Sequence, residues 1–144
     1  MGAKLSCCCW IILAFGLIPV SSVAGETTNS ILNGAFTLEQ ANRGASLYDR
    51  HCGRCHNDDM QGDGLLTPAI GRSAFGTRWS GRTLATVLRF ISRIMPYDEA
   101  GKLDAQTYSD VLAYVLQFSG YPPGNNEIPT DATALGSMAV ERLP

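Results

Sequence analysis

Apolar positions along this chain recur at intervals of three and four, and no segment alternates with a period of two. Thr37-Leu38-Glu39-Gln40 has the form of a capping box, in which a hydroxyl accepts from the N–H three residues on and a Gln or Glu there reaches back. It predicts a helix running to about His51. Leu84, Val87, Leu88, Ile91 and Met95 share one face of a second helix, expected to start at Ser80 or Gly81. Asp104 can cap a third, whose apolar face is Tyr108, Val111, Leu112, Val115 and Phe118, and which Gly120 and then Pro122 stop. The class implied is all-α, with three main helices. Gly44, inside the first helix, costs about 1 kcal/mol relative to alanine. A glycine there predicts that another backbone passes close by, so the first and last helices are expected to cross at Gly44, against Tyr114 or Val111.

The first 24 residues follow a different pattern. Lys4 is the only charge, Leu5 to Val20 is almost wholly apolar, and Ser22-Val23-Ala24 places small residues before Gly25. A positive end, a short apolar run and a small-residue cut describe a secretory signal peptide, cleaved near Ala24. An uncleaved anchor is the alternative, although 16 apolar residues ending near Pro19 fall short of the roughly 20 that a spanning helix needs. Met1-Gly2-Ala3-Lys4-Leu5-Ser6 also fits a myristoylation pattern with Cys7 nearby, but so apolar a continuation is better explained by export. The expected organisation is a signal peptide over 1–24, a linker over 25–36, one domain over 37–124 and a carboxy-terminal extension over 125–144. A chain of 144 residues with formal charge −2 has room for one domain and no basic surplus of the kind nucleic acid binding needs.

Export changes the cysteine arithmetic. Cys7, Cys8 and Cys9 leave with the signal, so the mature chain keeps Cys52 and Cys55 alone. A disulfide closing over two intervening residues would constrain the unfolded chain very little. A structural zinc site wants four ligands, commonly two such pairs, and a thioredoxin-like thiol pair wants a βαβ context where this one has helical flanks. The remaining reading of Cys52-Gly53-Arg54-Cys55-His56 is C-x-x-C-H, a c-type haem attachment site. Each thiol adds to one porphyrin vinyl group, two residues span the gap, and the next presents an imidazole beneath the iron. His56 is therefore the expected proximal ligand. His51, ahead of the first cysteine, is read as a helix-terminal cation meeting the last carbonyls.

Three methionines are left in the mature chain as candidates for the opposite face of the iron. Met60 follows His56 by only four residues, too few to cross to that face. Met138 lies in the Pro- and Asn-rich extension, which need not be ordered. Met95 follows an apolar helix pattern and precedes Pro96, which biases it to an extended conformation. A methionine so placed is often core filler, but here it is the expected axial ligand, because the iron needs one and no other residue is positioned to supply it.

From about Thr37 to Gly124 the chain resembles the class I cytochrome c family. The matching residues are Gly44 and Tyr48 ahead of CGRCH, Gly62-Asp63-Gly64 with Pro68, Trp79, Ile94-Met95-Pro96, and GKLDAQTYSDVLAYVLQFSGYPPG. The resemblance implies a small cytochrome c fold with crossed terminal helices around one covalent haem c. It also implies that Pro68 gives its carbonyl to Nδ1 of His56 and that Met95 is the distal ligand. The stretch from Met95 to Gly124 is similar to periplasmic bacterial cytochromes associated with quinoprotein dehydrogenases, which implies a quinoprotein dehydrogenase as donor and a terminal oxidase as acceptor.

The function expected is periplasmic one-electron transfer with His/Met ligation, and not catalysis: there is no nucleophile–base pair and no second C-x-x-C-H. The alternatives are a cytochrome subunit of a dehydrogenase complex, and a haem enzyme or sensor in which Met95 does not ligate. Charge adds one feature. Gly64 to Tyr97 holds five arginines (72, 78, 82, 89 and 93) and no acid. Arg78, Arg82 and Trp79 are candidates for hydrogen bonds to the haem propionates. The other arginines are a candidate docking face for an acidic partner, or solvated side chains on an exposed helix.

Overall fold

The computed structural model describes residues 1–2 and 29–144; the segment read as a signal peptide lies, apart from its first two residues, outside the described residues. The described chain is helical, as its spacing requires. Helix α1 spans Leu38–Tyr48 and passes through a π turn, Asp49–Gly53, into the short α2, Arg54–His56. After a loop come α3 (Ser73–Trp79), α4 (Leu84–Ile94), α5 (Ala105–Phe118) and a last short helix α6 (Ala132–Gly136). Two two-residue strands, β1 (Asn29–Ser30) and β2 (Met138–Ala139), pair in parallel and bring the ends of the described segment together.

Helix α1 packs on α5, and Gly44 is the reason they approach so closely. A Cβ on Gly44 would lie 1.9 Å from the carbonyl oxygen of Asp110 and 3.0 Å from Cβ of Tyr114. The crossing falls where the sequence put it, with the backbone of Asp110 rather than a side chain as the closest neighbour. Asp110 is buried, and Arg43 holds it with both nitrogens of a fork, at 2.9 and 3.0 Å.

The caps at Thr37 and Asp104 form as expected, with the amides of Gln40 and Thr107 donating to them at 3.1 and 2.9 Å. The capping box is only half made. Gln40 is fully buried, and its side chain pairs with the backbone of Ile128 instead, accepting from its N–H at 2.7 Å and donating to its carbonyl at 3.2 Å.

Helix α4 starts at Leu84 with Thr83 as its cap, later than Ser80 or Gly81. The reason is tertiary. The N–H of Gly81 and the carbonyl of Arg82 are both paired with Val140, which keeps this stretch out of the helix. The described part of the segment read as a linker, and the segment read as an extension, are built into the core: Ile31, Phe36, Ile128, Leu135 and Val140 are each at most 4 % exposed. The carboxy-terminal segment that need not have been ordered is thus packed and hydrogen-bonded.

Candidate functional site

The C-x-x-C-H motif is helical throughout. Backbone at Asp49, Gly53 and Arg54 stays in the right-handed helical region across the π turn, so Cys52 and Cys55 stand three residues apart on one helical face. His51 falls inside this turn and ends no helix, because helical backbone continues to His56. No hydrogen bond from its ring forms among the described residues, so the helix-end role expected for it is not what the structure holds. The helix stops at Asn57, where φ turns to +60°, and the buried Tyr48 hydroxyl donates to the Asn57 carbonyl at 2.8 Å. Cys52 and Cys55 are free thiols. Burial, and then the neighbouring Cys55, pushes the Cys52 thiol up to about 11.

His56 is buried and its Nδ1 lies 3.2 Å from the carbonyl oxygen of Pro68, the partner the resemblance implies. A carbonyl can only accept, so this contact requires the tautomer with the proton on Nδ1, leaving the Nε2 lone pair for a metal. Burial lowers the pKa of the imidazole, opposed in part by the Pro68 hydrogen bond, which favours the neutral form that a metal needs.

The loop that delivers Pro68 is tightly organised. The Asp63 carboxylate accepts from the amides of Leu65, Leu66 and Thr67 at 2.9, 2.9 and 2.8 Å. Gly62 has φ +63°, and a Cβ there would meet the Thr67 carbonyl at 2.2 Å, so only glycine fits.

The three methionines have different places. Met60 is fully buried with its sulfur against Gly71, where an added Cβ would come within 2.9 Å; it fills the core beneath the loop. Met138 is half-buried in β2, with Asn29 as its partner in register. Met95 is half-buried and extended at the end of α4, φ −124° and ψ 149°. Its N–H donates to the Ile91 carbonyl at 2.8 Å and its carbonyl accepts from the Tyr108 hydroxyl at 2.7 Å.

The strand of chain beyond Met95 is tied back to the haem motif. Arg54, between the two cysteines, donates to Asp98 at 2.5 Å. No local spacing foretells that pair, or the bond from Tyr108 to the Met95 carbonyl.

Arg78, Trp79 and Arg82 line an open cavity of about 430 Å³ together with Thr86, Arg89, Phe90, Arg93 and Ile94. The Arg78 guanidinium lies 5.3 Å from the Trp79 ring and 5.2 Å from Phe90, which the sequence reading had not singled out. Among the described residues none of Arg78, Arg82, Arg89 and Arg93 has an acidic partner, whereas Arg43 and Arg54 do.

The donor set fits a covalent haem. Two free thiols share a helical face with an imidazole whose outer nitrogen is engaged and whose inner one is available, and a thioether stands elsewhere on a fixed backbone. Among the described residues there is no cluster of His, Cys, Asp and Glu that would hold a metal ion without a macrocycle.

An all-α domain with a helical C-x-x-C-H of this kind is a c-type cytochrome. The family model described as cytochrome c oxidase, cbb3-type, subunit III matches residues 39–115, more than half of the chain, and the chain belongs to that family. No curated protein and no solved structure matches it. Membership implies covalently bound haem c with its iron, and haem-based electron transfer as the general activity. Among the described residues no helix is long and apolar enough to cross a membrane.

Proposed function

We propose that this protein is a periplasmic one-electron carrier with a single haem c, ligated by His56 and Met95 and attached through Cys52 and Cys55. The observation that carries the reading is the state of the two ligands: His56 is held in the metal-binding tautomer by Pro68, and Met95 is pinned by both of its backbone polar groups. A bound haem would supply the redox couple, and ligation by an imidazole and a neutral thioether would favour the reduced state and raise the potential. The chain's own residues do the rest. Pro68 orients the imidazole, helical spacing presents the thiols, and Met95 would complete the ligand set, leaving no open position for substrate. Arg78, Arg82 and Trp79 are the donors proposed for the propionates.

Export by a cleaved signal, proposed on the pattern of residues 1–24, would leave the mature chain with the two motif cysteines. A quinoprotein dehydrogenase as donor and a terminal oxidase as acceptor are proposed partners, the first on the sequence resemblance of Met95 to Gly124. A second reading, a subunit of an oxidase or dehydrogenase complex, has the family's description in its favour, and co-purification from the periplasm separates it from a free shuttle. The axial assignment is tested on mature ferric protein. A far-red iron–sulfur charge-transfer band that disappears in Met95→Ala is expected; five-coordinate high-spin iron in the wild type would instead point to a haem enzyme or sensor.

A further inference from the structure

We infer that Tyr108 is the positioning residue for the axial methionine, a role that rests on the reading of Met95 as ligand. Helix α4 ends at Ile94, and the last carbonyls of any helix lack intrahelical partners. Met95 is followed by Pro96, which has no N–H to donate. The segment therefore has few means of fixing itself. Tyr108, near the start of α5 and 6 % exposed, projects its phenol into this gap. The hydroxyl has one proton and spends it on the Met95 carbonyl at 2.7 Å, with the Ser92 carbonyl a distant second acceptor at 3.5 Å.

Both backbone groups of Met95 are thus committed, the N–H to α4 and the carbonyl to α5. Only side-chain torsions are left to the thioether. Further along, the ion pair of Arg54 with Asp98 ties the same segment to the haem motif from outside, but both groups are largely exposed, and such pairs hold little. The buried phenol is the stronger restraint. Without it the Met95 carbonyl faces a buried ring edge unpaired, and the loop gains states in which the sulfur is away from the iron.

The test is displacement of the sulfur by imidazole in ferric holoprotein. Tyr108→Phe should keep the far-red band yet bind imidazole roughly tenfold more tightly, the worth of one ordinary hydrogen bond. Tyr121→Phe is the matched control: it too deletes a buried phenol that donates to a backbone carbonyl, that of Glu141 at 2.8 Å. It should lower global stability without changing imidazole affinity. Unchanged affinity in Tyr108→Phe, or an equal gain in Tyr121→Phe, overturns the role. If Tyr108→Phe yields no holoprotein, NMR of the wild type decides: a slowly exchanging Tyr108 hydroxyl proton is expected, and one exchanging freely with solvent rejects the bond. Failure of the ligand assignment looks different, since Met95→Ala would then bind imidazole no more tightly than the wild type.

Discussion

Gly44 and Asp63 make opposite uses of a single position. Gly44 works by what it lacks: with the Asp110 carbonyl 1.9 Å from any added carbon, Gly44→Ala must push α1 and α5 apart. The expected cost is about 3 kcal/mol or more, at or beyond the upper end for overpacked cores, read as a lowered denaturant midpoint of the holoprotein; a change below about 1 kcal/mol would mean that the crossing is loose. Asp63 works by what it collects. Hydrogen bonds from Thr67, then Leu65, hold its carboxyl below the ordinary aspartate range. A depressed folded-state pKa contributes stability that is present above the unfolded value and lost as pH falls through the folded one. The loop carrying Pro68 should therefore stay intact at mildly acid pH and loosen only below the usual aspartate range. Following the amides of Leu65, Leu66 and Thr67 by NMR through an acid titration checks this, and a midpoint at the ordinary aspartate value would contradict it.

At the scale of elements, what could be read in advance depended on how locally each was determined. The caps at Thr37 and Asp104, the apolar face of α5 and its stop at Gly120 depend on residues within a few positions of each other, and all are legible in the sequence. Helix α3 leaves no clear signal in the sequence. It has seven residues, and Arg72 ahead of it has φ +54° and offers no side-chain cap. The start of α4 lies beyond the expected Ser80 or Gly81 because Val140, far along the chain, takes the backbone groups of Gly81 and Arg82. At the site itself the C-x-x-C-H spacing was legible, while Tyr108 and the Arg54–Asp98 pair depend on contacts across the fold. Gln40 is the clearest case, since its type fits a capping box but its bonds go to Ile128. Gln40→Ala should leave the Thr37 cap in place and release the carboxy-terminal segment, at a cost of about 1–3 kcal/mol for the two backbone groups left unpaired. Limited proteolysis would then cut within 125–144 in the variant first; equal resistance to the wild type would show that the strand pairing and Val140 hold the segment alone.

Charge belongs to the whole molecule, and here its total and its distribution point in opposite directions. Five of the eleven cationic side chains and none of the thirteen acids lie between Gly64 and Tyr97, leaving six cations against thirteen acids elsewhere. The fold gathers four of those five around one cavity, and no carboxylate among the described residues neutralises them. Even if Arg78 and Arg82 serve the propionates, Arg89 and Arg93 remain about one turn apart on α4. A small anionic oxidant such as hexacyanoferrate(III) distinguishes net charge from local charge. If net charge governs the encounter, its rate rises with salt, because repulsion is screened; if electrons leave beside the arginine face, the rate falls with salt. The second outcome is expected, with a several-fold decrease as the screening length drops from about 30 Å at 0.01 M to about 10 Å at 0.1 M. Arg89→Glu with Arg93→Glu should then reverse the slope while the far-red band stays unchanged, since neither side chain belongs to the ligand set. A rate that rises with salt in the wild type would place electron exit on the acidic side, and the natural partner would have to present a basic face rather than an acidic one.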